Sequence, residues 1–240
     1  MSILGTRVVR VEDPRFLTGQ GTYIANLDLP GAVHVTYVRS TMAHARILSI
    51  DTTEAESMPG VLHVWTAKDI DLAPASADMR MLNQAMKFPF LAIDTVRYVG
   101  DLVAMVISEE KAQGVDAAEM VVVDYDPLPA VIDVDESLRG DVILHPEAGT
   151  NVVLTFANDD ERDIFAGCEV VVELTIENNK VATAPLEVRS VASRWDGDRL
   201  TQWACSQGAH GARDGLARVL GVDPANVRVI TPDVGGGFGA

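Results

Sequence analysis

Apolar positions fall in short runs punctuated by Gly, Pro and Asp, a rhythm of strands with a few helices between them. Ala32-Val-His-Val-Thr-Tyr-Val38 follows the turn Leu29-Pro-Gly31 and predicts a strand. Thr52 to Met58 is a short helix closed by Pro59-Gly60, and Val61 to Thr66 is a second strand. Residues 70–95 show no period, with Met79, Met81 and Met86 set among Pro and Asp, and predict a loop or cover segment. Leu102-Val-Ala-Met-Val-Ile107 is apolar at every position, which suits a strand buried on both faces. In Glu109 to Glu119 a helix is predicted with Ala112, Val115, Ala118 and Val122 as its inward stripe and Glu109, Glu110 and Asp116 on the wet face. Met120 to Tyr125 is a strand ended by Asp126-Pro-Leu-Pro129, because proline donates nothing to a ladder. Strand, helix and strand joined by short connections predict a βαβ-like unit.

Pro127, Pro129, Pro146 and a Gly-Asp turn fill 127–150, and the boundary between two units is placed there. Beyond it, Val172, Leu174 and Ile176 alternate within 170–176, as in a half-exposed strand. Glu187 to Trp195 and Leu200 to Cys205 are two more strands, joined by the hairpin signal Asp196-Gly-Asp198. Ala209, Ala212, Leu216, Val219 and Leu220 form one helical stripe, and Gly221 is placed to end that helix. A short strand follows, and then a run of glycines.

Composition narrows the function classes. The formal charge is −16, a surface that repels phosphate backbones and anionic lipid, so neither nucleic acid nor membrane is expected as a partner. No run reaches the ~18 apolar residues of a membrane span, and the first residues lack the core of a secretory signal, so the expected location is cytoplasmic. Cys168 and Cys205 form no C-x-x-C pair, cannot hold an iron–sulfur cluster alone, and are read as buried, inert thiols.

Candidate chemistry gathers at the far end. Gly235, Gly236, Gly237 and Gly239 keep side chains away from the backbone and reach positive φ, so successive N–H groups can converge on an anion. The alternative is a flexible glycine-rich tail. The side-chain amide of Gln207, between a strand and a helix, can donate a hydrogen bond; otherwise it is an ordinary residue facing water. Phe238 either walls a cavity or anchors the loop in a core. His44 and His210 have no partner at ligand spacing and are read as surface or hydrogen-bonded histidines, so no metal ligand is assigned in this chain.

Trp203-Ala-Cys-Ser-Gln207, a helix, a short strand and Asp233-Val-Gly-Gly-Gly-Phe-Gly239 resemble the cofactor-binding start of the molybdenum hydroxylase large subunit. That family includes xanthine dehydrogenase, aldehyde oxidase and aerobic carbon monoxide dehydrogenase. The likeness extends upstream through Arg10-Val-Glu-Asp-Pro-Arg-Phe-Leu-Thr-Gly19, Val38-Arg-Ser40, Ala43 to Ile47, Met58-Pro-Gly-Val61, Val96 to Gly100 and Val123 to Val131. It continues through Val171 to Thr175 and Ala184-Pro-Leu-Glu187.

The resemblance implies an α+β fold: an α/β-hammerhead domain over 1–135, then the first part of a molybdopterin-binding domain over 136–240. It implies a molybdenum-molybdopterin cofactor bound by Gln207, Gly235, Gly236, Gly237, Phe238 and Gly239. Gln207 is the catalytic candidate, donating to an oxygen ligand of the metal. Phe238 walls the substrate funnel, and Glu187 matches a family acid read as structural. The implied reaction hydroxylates a small aldehyde, N-heterocycle or CO-type substrate with oxygen from water. The general-base glutamate lies in a remaining large-subunit segment, while iron–sulfur clusters and FAD sit on partner subunits. The chain is therefore expected to be an N-terminal piece, inactive when isolated, with exposed apolar surface over 150–240 and a tendency to form oligomers. The rival reading is a non-catalytic hammerhead-type binding or assembly module.

Overall fold

The computed structural model describes residues 4–77, 79–156 and 163–239. Contacts divide the chain into two compact units, Pro30–Asp163 and Met1–Leu29 together with Ile164–Ala240.

The chain opens with the short helix α1 (Asp13–Leu17), which belongs to the second unit. The first unit begins with β1 (His34–Arg39), β2 (Ala45–Asp51), the helix α2 (Thr53–Glu56) and β3 (Val61–Thr66). An irregular stretch then leads to β4 (Thr95–Val96) and β5 (Leu102–Ser108). The helix α3 (Lys111–Glu119), β6 (Val122–Pro127) and the helix α4 (Val134–Arg139) complete it. Two antiparallel sheets result, ordered β1-β5-β3 and β4-β2-β6.

The apolar run at 102–107 becomes β5, the central strand of its sheet. Ala104 and Val106 point into one core cluster with Val64, Ala55, Ala117 and Val121, while Val103 points into another with Ala45, Ala92 and Val96. Alternate residues of one strand thus serve two cores, which accounts for the unbroken apolar run from Leu102 to Ile107, and the buried Ser108 at its end donates its hydroxyl to Glu110 O. The described residues of 70–94 stay irregular, with an isolated bridge between Ala75 and Phe88 and backbone bonds such as Ala92 N–H to Leu102 O at 2.6 Å.

Two expectations for this unit are corrected. β5 and β6 share no sheet, because β6 pairs antiparallel with β2, so 102–125 is not a βαβ unit. The inward face of α3 also differs: Gly114 and Ala117 are buried, while Val115 is 44% exposed. The helix lies close to the sheet, for a Cβ at Gly114 would come 2.6 Å from Ser108 Oγ and 2.7 Å from Thr36 Oγ1. Close approach selects small residues, which a search for large apolar side chains overlooks.

The second unit holds β7 (Val191–Asp196), β8 (Arg199–Ala204), the helix α5 (Ala209–Leu220) and β9 (Val227–Ile230). β7 and β8 form an antiparallel hairpin whose turn needs Gly197 at φ +56°. β8 and β9 are parallel, so the crossover βαβ arrangement is β8-α5-β9. α5 ends at Gly221, φ +67°, with Val222 N–H donating to Ala217 O at 3.0 Å and Gly221 N–H to Arg218 O at 3.4 Å. Leu200, Ala217 and Val227 form its small core.

The expected strand over 170–176 is absent. Val170, Val172, Leu174 and Ile176 are 76–81% exposed, and none of the described strands pairs with them. Alternation specifies a face, but a strand exists only where a ladder partner meets its N–H and C=O groups. The strand expected from Glu187 starts instead at Val191, because Glu187 is committed to the glycine loop. Cys205 is buried as expected, whereas Cys168 is exposed; both are free thiols. Among the described residues, no helix is long and apolar enough to cross a membrane.

Candidate functional site

β8 ends at Ala204 and delivers Cys205, Ser206 and Gln207 to the start of α5. Cys205 is buried, and its Sγ accepts from Ser190 N–H at 3.2 Å. Ser206 Oγ accepts from Gly208 N–H at 3.2 Å, which turns the chain into the helix. Gln207 lies exposed at that bend.

β9 returns alongside β8 and releases the glycine loop beside the same bend. A Cβ at Gly237 would sit 3.2 Å from Gln207 Cδ and 3.3 Å from its Oε1, so the amide of Gln207 lies against bare backbone. The structure thus brings together two candidates separated by thirty positions in sequence.

The rest of the loop is held by partners that sequence reasoning did not assign. Gly235 N–H donates to Glu187 Oε2 at 2.7 Å, and Glu187 N–H donates to Gly235 O at 3.3 Å. A Cβ at Gly235 would come 2.5 Å from Glu187 Cβ, so only glycine permits this pairing. Gly236 has φ +125°, and a Cβ there would come 2.8 Å from Pro185 Cβ. Arg189 donates through Nη2 to Gly237 O at 3.0 Å and through Nη1 to Cys205 O at 3.2 Å, joining the loop to the end of β8.

Phe238 has φ +54°, a strained conformation for a side-chain-bearing residue, and is 74% exposed. It does not anchor the loop in a core. Gly239, at φ +82°, has open space around it. Among the described residues, the N–H groups of Gly236, Gly237, Phe238 and Gly239 have no acceptor.

Asp233 marks the entrance of the loop. Arg15 donates to both of its carboxylate oxygens, at 2.6 Å for Nη2 to Oδ1, and Thr22 N–H donates to Oδ2 at 2.7 Å. The Arg15 bonds first, and then the Thr22 amide, hold the Asp233 pKa down at about 2. The same pairing raises the pKa of Arg15. Arg15 and Asp233 are 218 positions apart, and no periodicity or spacing rule links such a pair.

The histidines fall outside this cluster. His44 Nδ1 lies 2.7 Å from Pro129 O in the first unit, and His210 is exposed on α5. Among the described residues, no three His, Cys, Asp or Glu side chains gather as a metal site would require.

Residues 18–129 match the family model described as "Aldehyde oxidase and xanthine dehydrogenase, a/b hammerhead domain", and 144–240 match "Molybdopterin cofactor-binding domain". The chain belongs to the molybdenum hydroxylase family. It corresponds to the N-terminal portion of that family's large subunit. It is 38% identical to the nicotine 6-hydroxylase large subunit of Paenarthrobacter nicotinovorans over 99% of this chain and 30% of that protein. It is 33% identical to the carbon monoxide dehydrogenase large chain of Afipia carboxidovorans, over 98% of this chain and 31% of that one. Among solved structures, quinoline 2-oxidoreductase from Pseudomonas putida 86 matches with a TM-score of 0.85 and 33% identity, over 99% of this chain and 31% of that chain. The chain therefore spans about three-tenths of the length of these family members.

The residues present fit the family's cofactor in kind. The loop from Gly236 to Gly239 offers backbone N–H groups without acceptors and no bulk at its glycines, beside an amide side chain. Thr231 Oγ1, at the start of the loop, is buried without a partner among the described residues. Such a set suits a ligand rich in anionic and polar oxygen and nitrogen. Gly235 contributes differently, since its N–H is already given to Glu187.

Proposed function

We propose that this chain supplies part of a molybdopterin site and serves, within a complete complex, the oxidative hydroxylation of a small aldehyde, N-heterocycle or CO-type substrate. The observation that carries the reading is the convergence of Gln207 on the open backbone of Gly237. Bound there, the molybdenum centre supplies two-electron oxidation of the substrate carbon with oxygen from water.

The chain's own residues bind and orient. Backbone N–H groups of Gly236, Gly237, Phe238 and Gly239 hold anionic and polar edges of the cofactor. Gly235 and Glu187 set the entry of the loop, and Arg189 fixes the carbonyl of Gly237. The amide of Gln207 would donate a hydrogen bond toward the bound centre and would stabilise negative charge developing there. The exposed ring of Phe238 stands ready to wall the path of the substrate. Domains of 1–135 and 136–240, with the cofactor residues all in the second, are part of this reading.

The proton-accepting acid, the iron–sulfur clusters and the FAD come from other segments or subunits, so the isolated chain turns over nothing. Homologues include subunits of named complexes, among them the 6-hydroxypseudooxynicotine dehydrogenase complex, which supports a multi-subunit assembly. The exposed apolar residues of 170–176 are available for such association, and a cytoplasmic location suits these partners.

The test is purification of the chain from its native host, followed by mass spectrometry of the assembly and metal analysis. Co-purifying cluster-bearing and flavin-bearing subunits with molybdenum are expected. A metal-free monomer would refute the proposal and favour the non-catalytic binding module.

A further inference from the structure

The opening block Arg10 to Gly19 resembles the family's opening segment, and among the described residues its side chains bond to Asp233 and not to the residues assigned to the cofactor. The structure gives it a task. We propose that residues 13–24 form a strap that sets the conformation of the glycine loop, with Arg15, Asp233 and Glu187 as positioning residues.

The strap is fastened at two points. At the first, the Arg15 fork grips Asp233, while Thr22 N–H donates to Asp233 Oδ2 at 2.7 Å and Asp233 N–H donates back to Thr22 O at 2.9 Å. At the second, the Glu187 carboxylate bridges strap and loop: Oε1 accepts from Ile24 N–H at 3.2 Å and Oε2 from Gly235 N–H at 2.7 Å. Only Val234 lies between the two fastenings along the loop.

The strap has its own bracing. Thr18 Oγ1 donates to Pro14 O at 2.8 Å at the end of α1, and Gly19 turns the chain at φ +73°. The Arg15 guanidinium lies 4.6 Å from the centre of the Phe16 ring, which restrains the fork before it meets Asp233. Ile24 is 8% exposed and pins the far end by burial.

Glycines have too many accessible conformations to shape themselves, so order must be imposed from outside. Arg189 and Gln207 meet the loop at Gly237, and the strap fixes 233–235. Bidentate, charge-assisted bonds hold direction as well as distance, which a single neutral bond does not. The consequence for cofactor loading rests on this loop being the molybdopterin site.

The test is amide hydrogen exchange, resolved by residue, on the 240-residue chain, for Arg15→Gln, Asp233→Asn and the double variant. Molybdenum content is measured on the same variants in the native complex. Breaking the fork should speed exchange of the Gly235 and Ile24 amides about 10-fold, although neither bonds to the altered residues, while β8 amides keep their wild-type rates. The double variant should be no worse than either single one. Molybdenum content should fall in parallel.

Unchanged exchange at Gly235 and Ile24 would overturn the strap, whatever the molybdenum content. Exchange raised equally in β8 by Asp233→Asn, which preserves side-chain shape, would overturn it too, by showing a role in folding alone. Faster loop exchange with full molybdenum content would uphold the strap and refute the loop as the cofactor site.

Discussion

Replacing Gly235 by alanine isolates steric fit from backbone conformation. Gly235 has no positive φ, so alanine can adopt its backbone. Its Cβ, however, would stand 2.5 Å from Glu187 Cβ, 3.1 Å from Glu187 N and 3.4 Å from Glu187 Cα. These atoms belong to the backbone or are joined directly to it, so they cannot swing aside. Overpacking of this kind costs roughly 1–3 kcal/mol. Moving Glu187 also weakens its bond to Gly235 N–H, worth about 1.5–3 kcal/mol for a charged acceptor and less where water reaches it. A total of roughly 2–4 kcal/mol follows. Gly239 is the control: its φ is +82° and nothing lies within 4 Å, so Gly239→Ala meets only the left-handed backbone penalty of about 1 kcal/mol. Urea unfolding in a Trp65→Phe background reads the second unit through Trp195 and Trp203. The midpoint should fall by about 1–2 M for Gly235→Ala and about 0.5 M for Gly239→Ala. Equal shifts would refute the claim that Glu187 packs against the loop as described.

Three further outcomes are expected. In the complete complex, Gln207→Ala should lower kcat about 10²–10³-fold with molybdenum retained, and Gln207→Glu should do at least as much harm; steady-state kinetics beside metal analysis checks both. Asp233 has a folded pKa depressed to about 2, so its contribution is fully present above the ordinary carboxylate pKa and is lost as pH falls through its folded value. Acid unfolding of wild type should therefore show added destabilisation between about pH 4 and 2 that Asp233→Asn lacks. Gly211→Ala should stabilise α5 by about 0.5–1 kcal/mol in urea unfolding, because a Cβ there meets nothing within 4 Å.

What the sequence revealed depended on whether one residue or a pair carried the signal. The unbroken apolar run of β5, the Gly197 turn and the Gly221 cap of α5 are local patterns, and each was legible; in α5 Leu216 and Leu220 pack against the core as the stripe expected, but the buried residue is Ala217, which the stripe left out. The alternation in 170–176 was equally legible but described a face without naming a partner, and among the described residues no ladder forms there. In α3 the burial of Gly114 and Ala117 reflects distance to the sheet, a tertiary quantity that hydropathy does not carry. The site divides the same way. Gln207 and the glycines stood out by residue type, whereas Arg15 with Asp233 and Glu187 with Gly235 acquire meaning only when the chain brings them together.

The central claim is that Gln207 and the glycine loop of this chain form part of a molybdopterin site. It is tested most directly by the molybdenum and pterin content of the native complex carrying wild type or Gly237→Val. A valine side chain would push into the space between the loop and Gln207, where even a Cβ would stand 3.2 Å from Gln207 Cδ. The account predicts stoichiometric molybdenum and pterin in wild type and their loss from the variant, with β7, β8 and β9 still folded. Full cofactor content in Gly237→Val, or none in wild type, would contradict it.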